Sequence, residues 1–200
     1  MLTSPERKMP TDWSPDGRFV LCTAFDTKTA ASSLWALPLG GGTQPMLVVA
    51  QTKFQVGAGQ FSPDGRWIAY VSDESGQPEV YVRPFPSSSA AGGASQVSSS
   101  GGTQPRWRRD GKELFYISAD NHMTAVPVTP GADGREMSLG TAVPLFATRL
   151  ATGANVTGGS TRAAQYAVAA DGRFLLLSAT DEGAAPAITI VQNWTAALKK

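Results

Sequence analysis

A short string, Ser-Pro-Asp-Gly, limits how this chain can fold more than any other feature, because it returns. Trp13-Ser14-Pro15-Asp16-Gly17-Arg18 comes back as Phe61-Ser62-Pro63-Asp64-Gly65-Arg66. A worn copy stands at Trp107-Arg108-Arg109-Asp110-Gly111-Lys112, and a fainter one at Val168-Ala169-Ala170-Asp171-Gly172-Arg173. The four aspartates are 48, 46 and 61 residues apart. Each copy has the chemistry of a tight turn. Proline pre-sets φ at the first corner, Asp tolerates the second, and Gly takes the left-handed conformation at little cost. The apolar runs on either side are thereby folded back as a hairpin.

The run after each turn is apolar on both faces: Phe19-Val20-Leu21-Cys22, Trp67-Ile68-Ala69-Tyr70-Val71, Leu114-Phe115-Tyr116-Ile117 and Phe174-Leu175-Leu176-Leu177. A sheet with one wet face would alternate, so these strands are expected to be covered on both sides. A third strand follows in each unit. Leu34 to Leu39 aligns with Val80 to Phe85 and with Met123 to Val128, and the prolines Pro38, Pro84 and Pro127 fall in one column that marks the strand end. Outer strands are expected at 46–50, 95–98 and Val143–Ala147. A repeated Gly-Gly-Thr-Gln-Pro, at 41–45 and 101–105, falls at different places in its units and reads as turn chemistry. Units of 40–50 residues, each holding four strands, are the blades of a β-propeller. The expectation is an all-β β-propeller of four-stranded antiparallel blades, about four in this chain. It forms one domain over 1–200, with repeats at roughly 10–57, 58–103, 104–150 and 164–194 and a long loop at 148–164. The last unit ends in a third strand, 188–194, with none after it. The ring either closes by lending residues 1–3 to that blade, which would remove an exposed edge, or is an open fragment of a longer gene. An open blade edge would allow a homodimer.

Composition narrows the function. Seventeen basic and sixteen acidic residues leave a net charge of +1, without the basic surplus that nucleic-acid binding requires. A single cysteine, Cys22, has no disulfide partner in the chain, falls in a two-sided apolar strand, and reads as an inert buried thiol. No Cys/His cluster offers a metal site, and nothing points to a cofactor. No apolar run reaches membrane-span length and the start lacks a signal peptide, so the chain reads as soluble and, as it stands, cytoplasmic.

Several segments resemble the TolB-type, WD-repeat-like propeller family, and most of all the C-terminal propeller of bacterial serine/threonine protein kinases. They are Thr11 to Arg18, Gly59 to Tyr70, Glu79 to Phe85, Trp107 to Tyr116 and the ending Asn193-Trp194-Thr195. The resemblance covers nearly the whole chain and implies a sensing or protein-interaction module, in a family whose propellers can also lie outside the cytoplasm. The parent propellers usually carry more blades and follow a kinase domain. The phosphate loop, ATP-binding lysine and catalytic loop of a kinase are absent, so kinase activity does not carry over.

Candidate chemistry is sparse. His122 is the only histidine, so any Ser-His-Asp device must use it, yet Asp120-Asn121-His122 reads as an exposed hairpin tip. No Gly-x-Ser-x-Gly elbow supplies a nucleophile. The recurring Asp16, Asp64, Asp110 and Asp171 sit in different blades as turn formers, with Arg18, Arg66, Lys112 and Arg173 compensating their charge. Binding candidates lie on the innermost strands. The column Trp13, Phe61, Trp107, Val168 is apolar and belongs between blades. The adjacent column Asp12, Gln60, Arg106, Ala167 is mostly polar and is expected to face the channel mouth. Arg106 and Arg108, within the basic cluster 106–109, suit an acidic partner or carboxylate. The resulting reading is a non-catalytic module that recognises a protein or small-molecule ligand at the channel mouth, like the sensor portion of a receptor kinase. The alternatives are the substrate-gating propeller of a prolyl-oligopeptidase-like peptidase, which needs an α/β-hydrolase domain, and a promiscuous stand-alone hydrolase.

Overall fold

Sixteen strands account for the secondary structure of the computed structural model, which describes residues 7–26, 28–29, 31–40, 44–49, 53–86, 93–131, 136–150 and 164–178, and the backbone of 188–191. They form four antiparallel sheets in chain order. Blade one is β1 (Arg7–Trp13), β2 (Phe19–Phe25), β3 (Ser32–Pro38) and β4 (Met46–Val49). Blade two is β5 (Val56–Phe61), β6 (Trp67–Ser72), β7 (Glu79–Pro84) and β8 (Ser95–Gln96). Blade three has β9 (Gly102–Trp107), β10 (Glu113–Ser118) and a long β11 (His122–Pro130), against which both β12 (Met137–Leu139) and β13 (Val143–Ala147) pair. Blade four is β14 (Tyr166–Val168), β15 (Phe174–Leu177) and β16 (Ile188–Val191). The architecture is a β-propeller array of four blades. No helix among the described residues is long and apolar enough to cross a membrane.

The turns explain the repeat. Ser14 Oγ donates to Asp16 Oδ1 (2.6 Å) and accepts the Phe19 N–H (2.9 Å), while Asp16 Oδ1 also takes the Arg18 N–H (3.0 Å). Ser62 and Asp64 repeat the arrangement. Gly17, Gly65, Gly111 and Gly172 all have φ between 70° and 83°, the left-handed region that glycine occupies most cheaply.

Three apolar layers hold the blades together. Phe19, Leu21, Leu34 and Ala36 of blade one meet Phe61, Ile68, Tyr70, Tyr81 and Phe85 of blade two. Trp67, Ala69 and Val71 meet Trp107, Leu114 and Tyr116. Phe115 and Ile117 meet Tyr166, Phe174 and Leu176, with Phe115 edge-on to Phe174 at 4.9 Å. Burying a side chain of this kind contributes about 1.5–3 kcal/mol. Among the described residues no layer joins blade four to blade one, and Trp13 is exposed. The array is open. Residues 1–3, expected to close the ring, lie outside the described residues, as does most of the expected loop at 148–164.

Four expectations need correction. The column containing Trp13 is buried between blades only at Phe61 and Trp107, and partly at Val168, because among the described residues no blade packs against the Trp13 face of blade one. Pro127 does not end its strand: β11 continues through it and pairs β12, an extra strand that lacks a strong periodic signal. Gly102 to Pro105 lie in β9, not in a turn. Blade four's turn is one residue shorter than the others. Ala169 N–H bonds to Arg173 O, whereas Ser14 N–H bonds to Phe19 O, Ser62 N–H to Trp67 O and Arg108 N–H to Glu113 O. One residue fewer turns every side chain of the following strand to the other face. Phe174 and Leu176 therefore point at blade three, and Leu175 and Leu177 point away.

Candidate functional site

The innermost strands β1, β5, β9 and β14 stand successively against one another. In the first three, the pairing with the next strand slips at one equivalent place: between Pro10 and Asp12, between Gly57 and Gln60, and opposite Phe115 to Ile117. Ala58 (φ 51°) and Gln104 (φ 55°) occupy the same position in these bulges. A bulge re-aims the side chains that follow it, and the residues two positions later are Gln60 and Arg106. The neighbouring Gly59 is set by packing, since a Cβ there would lie 2.7 Å from Leu21 Cδ2 and 2.9 Å from Leu34 Cδ1.

The polar column is placed as follows. Asp12 Oδ2 accepts the Phe61 N–H of blade two at 2.8 Å. Burial raises the Asp12 carboxyl above its ordinary range, opposed by this hydrogen bond, by that of Trp13 and by the charge of Arg106. Gln60 Oε1 accepts the Trp107 N–H of blade three at 3.3 Å. Both side chains thus brace one blade against the next. Arg106 is a pure donor and cannot accept a backbone N–H from blade four. Its Nη1 donates to Pro105 O at 3.3 Å, and among the described residues it enters no ion pair. Blade four is instead braced by Gln104, whose Oε1 accepts the Gln165 N–H (2.7 Å) and whose backbone oxygen accepts the Tyr166 hydroxyl (2.8 Å). Burial pushes that phenol up, and the charge of Arg106 pulls it back. Asp12 and Arg106 therefore share one inner region; Ala167, the fourth member of the column, is exposed.

Arg108 stands apart from them. It occupies the serine position of blade three's turn, pairing with Glu113 Oε2 (2.6 Å) and more weakly with Asp110 Oδ2 (3.5 Å). The hydrogen bond it donates to Glu113 raises its pKa further. An arginine ion pair here replaces the hydroxyl bridge of Ser14 and Ser62. His122 opens β11 at the hairpin tip, with Nδ1 3.1 Å from Asp120 Oδ2. Ser118 Oγ donates to Asp120 Oδ1 at 2.5 Å, so the carboxylate lies between serine and imidazole. In a nucleophilic triad the imidazole must take the serine proton, and this order does not allow it. Burial raises the Cys22 thiol, as an inert thiol requires.

Two features escape the sequence reading. Glu79 is fully buried and accepts from Gln77 Nε2 (2.7 Å), the Gly101 N–H (2.8 Å) and Ser98 Oγ, which ties the outer segment of blade two to its third strand. Its pattern in sequence is that of any strand-edge glutamate. A groove of about 340 Å³ runs between the turns of blades two and three, lined by Pro63, Asp64, Trp67, Trp107, Lys112 and Met137. The alternation of large aromatics beside successive turns was its available signal.

No protein-family model matches the chain, and no curated protein matches it in sequence. Solved structures do. TolB from Acinetobacter baumannii superposes with a TM-score of 0.63 at 21% identity over 94% of this chain and 42% of TolB. The β-propeller domain of the Trilobed protease from Pyrococcus furiosus, described as having an open velcro topology, gives 0.52 at 11% identity over 94% of this chain and 55% of that one. A puromycin-hydrolyzing peptidase from Mycobacterium tuberculosis gives 0.55 at 21% identity over 95% and 30%. This chain therefore spans about two fifths of TolB's length, and the likeness is one of fold: a TolB-like β-propeller.

Proposed function

We propose that the chain is a non-catalytic recognition module, the sensor-like propeller of a larger receptor kinase, and that it binds an acidic group of a protein or small-molecule partner at its inner strands. The observation that carries this reading is the break in the polar column. Asp12 and Gln60 are consumed in bracing the next blade, whereas Arg106, aimed by the bulge before it, bonds among the described residues to its neighbour's carbonyl alone. A guanidinium so placed suits a carboxylate, which it can grip through two parallel hydrogen bonds. The kinase setting rests on the resemblance of the turn and strand motifs.

Labelled acidic peptides and their neutral amide counterparts, read by fluorescence anisotropy, test the binding. Arg106→Ala is expected to weaken the acidic peptides at least about tenfold, the size of one lost charge-assisted hydrogen bond, while the melting temperature stays close to wild type. Arg106→Lys should recover only part of the affinity. Equal binding by wild type and Arg106→Ala, or no preference for acidic over neutral peptides, would defeat the reading. The likeness to two peptidases supports a second reading, in which the module gates access to a separate hydrolase domain. Peptide hydrolysis by such a domain would then change its size cut-off when the propeller is removed.

A further inference from the structure

Two of the blade interfaces can be compared residue by residue, and one of them lacks a ring. Between blades one and two, Phe19 and Phe61 are bridged by Phe85, which stands edge-on to both, at 5.4 and 5.1 Å. One blade later, Trp67 and Trp107 stand in the places of Phe19 and Phe61, on either side of their turns. Phe85's place falls to Val128. Its N–H bonds to Lys112 O as the Phe85 N–H bonds to Arg66 O, and it is buried in the same layer as the two tryptophans. A phenyl ring has become an isopropyl group. The larger indoles do not make up the loss, since the groove of about 340 Å³ lies beside them. The two indoles also differ in their bonding. Trp107 Nε1 donates to Gln60 O at 3.4 Å. Trp67 is only 7% exposed, and its Nε1, out of contact with solvent, has no hydrogen-bond partner among the described residues. Native structures rarely leave a buried donor unmet.

We propose that this groove is a binding site for a small, neutral aromatic molecule that carries an oxygen acceptor. The ligand's ring packs against Trp67 and Trp107 as Phe85 packs against Phe19 and Phe61, and its oxygen accepts the Trp67 Nε1–H. The volume lies at the small end of the roughly 300–1,000 Å³ of ligand pockets. The walls favour a ring over a sugar, because Pro63, Pro130 and Met137 join the indoles and a polyhydroxylated ligand would go largely unpaired there. The charged groups call for no counter-ion. Asp64 Oδ1 already accepts the Ser62 hydroxyl and the Arg66 N–H. Asp110 accepts the Lys112 N–H and lies beside Arg108, and Lys112 is exposed. Met137 is the yielding part of the wall that admits the ligand to the indole N–H, since an unbranched thioether chain changes shape at low cost. The site is separate from Arg106, which does not line the groove.

Proton–nitrogen correlation spectra of the indole N–H groups test this, with Trp67→Phe identifying the Trp67 resonance. Acetophenone, which has both the ring and the oxygen, should bind with a dissociation constant of about 1 mM or below and move the Trp67 resonance downfield. Ethylbenzene, the ring without the oxygen, should bind about fivefold more weakly and cause no downfield shift. Cyclohexyl methyl ketone, the oxygen without the flat ring, should also bind more weakly than acetophenone. Trp67→Phe should bring acetophenone down to the affinity of ethylbenzene, followed at the Trp107 indole. Val128→Phe restores the missing ring and should weaken both ligands at least about tenfold, with circular dichroism melts showing that it is folded. Should it fail to fold, Trp67→Phe carries the test alone. No saturable shift of Trp67 with acetophenone, equal affinity for acetophenone and ethylbenzene, or undiminished binding by a folded Val128→Phe would overturn the inference. So would shifts confined to the exposed Trp13, which would mean adsorption to the surface.

Discussion

Blades two and four begin from the same Asp-Gly turn, yet their second strands meet opposite fates. All six residues of β6, Trp67 to Ser72, are buried, whereas β15 alternates buried Phe174 and Leu176 with exposed Leu175 and Leu177. Both strands are continuous apolar runs. The difference lies outside the strands, in what covers each side. Among the described residues, blade two has a neighbour on both faces and blade four on one. A two-sided apolar strand therefore reports that a blade is designed to be sandwiched, not that it is sandwiched in a given chain. The turn adds a second lesson: removing one residue between Gly and the strand exchanges the two faces, and the fold survives because both faces of the run are leucine or phenylalanine.

The largest expected effect tests whether the two faces of blade four really differ. Ile68→Ala, in the layer between blades one and two, should cost about 2–5 kcal/mol. Leu175→Ala, half exposed, should cost under about 1 kcal/mol when urea unfolding is followed at concentrations that keep the chain monomeric. A penalty at Leu175 equal to that at Ile68 would mean the Leu175 face is covered within one chain, and the contrast would collapse.

Much of the architecture was legible in residues 13–18 and their copies, because a turn demanding φ > 0 at glycine and a serine bridge leaves few alternatives. The third-strand alignment held at Leu39, Phe85 and Val128, all tied to their turns by the same backbone bond. The bulges at Ala58 and Gln104 were not legible, since neither residue type announces a positive φ. The extra strand Met137–Leu139 was missed because three residues carry no period. The candidate site divides in the same way. Alternation placed Asp12, Gln60 and Arg106 in one column. Which of them accepts a hydrogen bond from the next blade depends on tertiary geometry, and only the donor-only chemistry of arginine pointed to Arg106 as the exception.

A smaller effect sharpens the contrast between the turns. Ser62→Ala leaves the buried Trp67 N–H without its acceptor and should cost about 1–2 kcal/mol. Ala169→Ser, at the equivalent place in the shorter turn, should gain less than about 0.5 kcal/mol, because that turn closes on Arg173 O, one residue sooner than Ser62 closes on Trp67 O, which changes the N–H that the hydroxyl would have to meet. A stabilisation of blade four matching the loss in blade two would show that serine alone, and not turn length, sets the difference.

The smallest effect is one of pH and separates blade one's turn from blade four's. Asp16 accepts from the Ser14 hydroxyl, the Arg18 N–H and the Arg18 guanidinium, in that order of influence, and its carboxyl is held down at about 2 against an ordinary value of 3.8. Asp171 is also lowered, by the Arg173 N–H first, but has no serine beside it. Because the folded state holds the Asp16 proton less tightly than the unfolded chain does, its stabilising contribution is complete above pH 3.8 and disappears as pH falls through about 2. Carbon-detected NMR titration of the side-chain carboxyls reads both groups in one sample. Ser14→Ala should move Asp16 up towards the ordinary range and leave Asp171 where it was. Equal movement of both would mean that the shift arises from the charge of the whole rim and not from the hydroxyl bridge, and the serine would then matter to the strand's N–H alone.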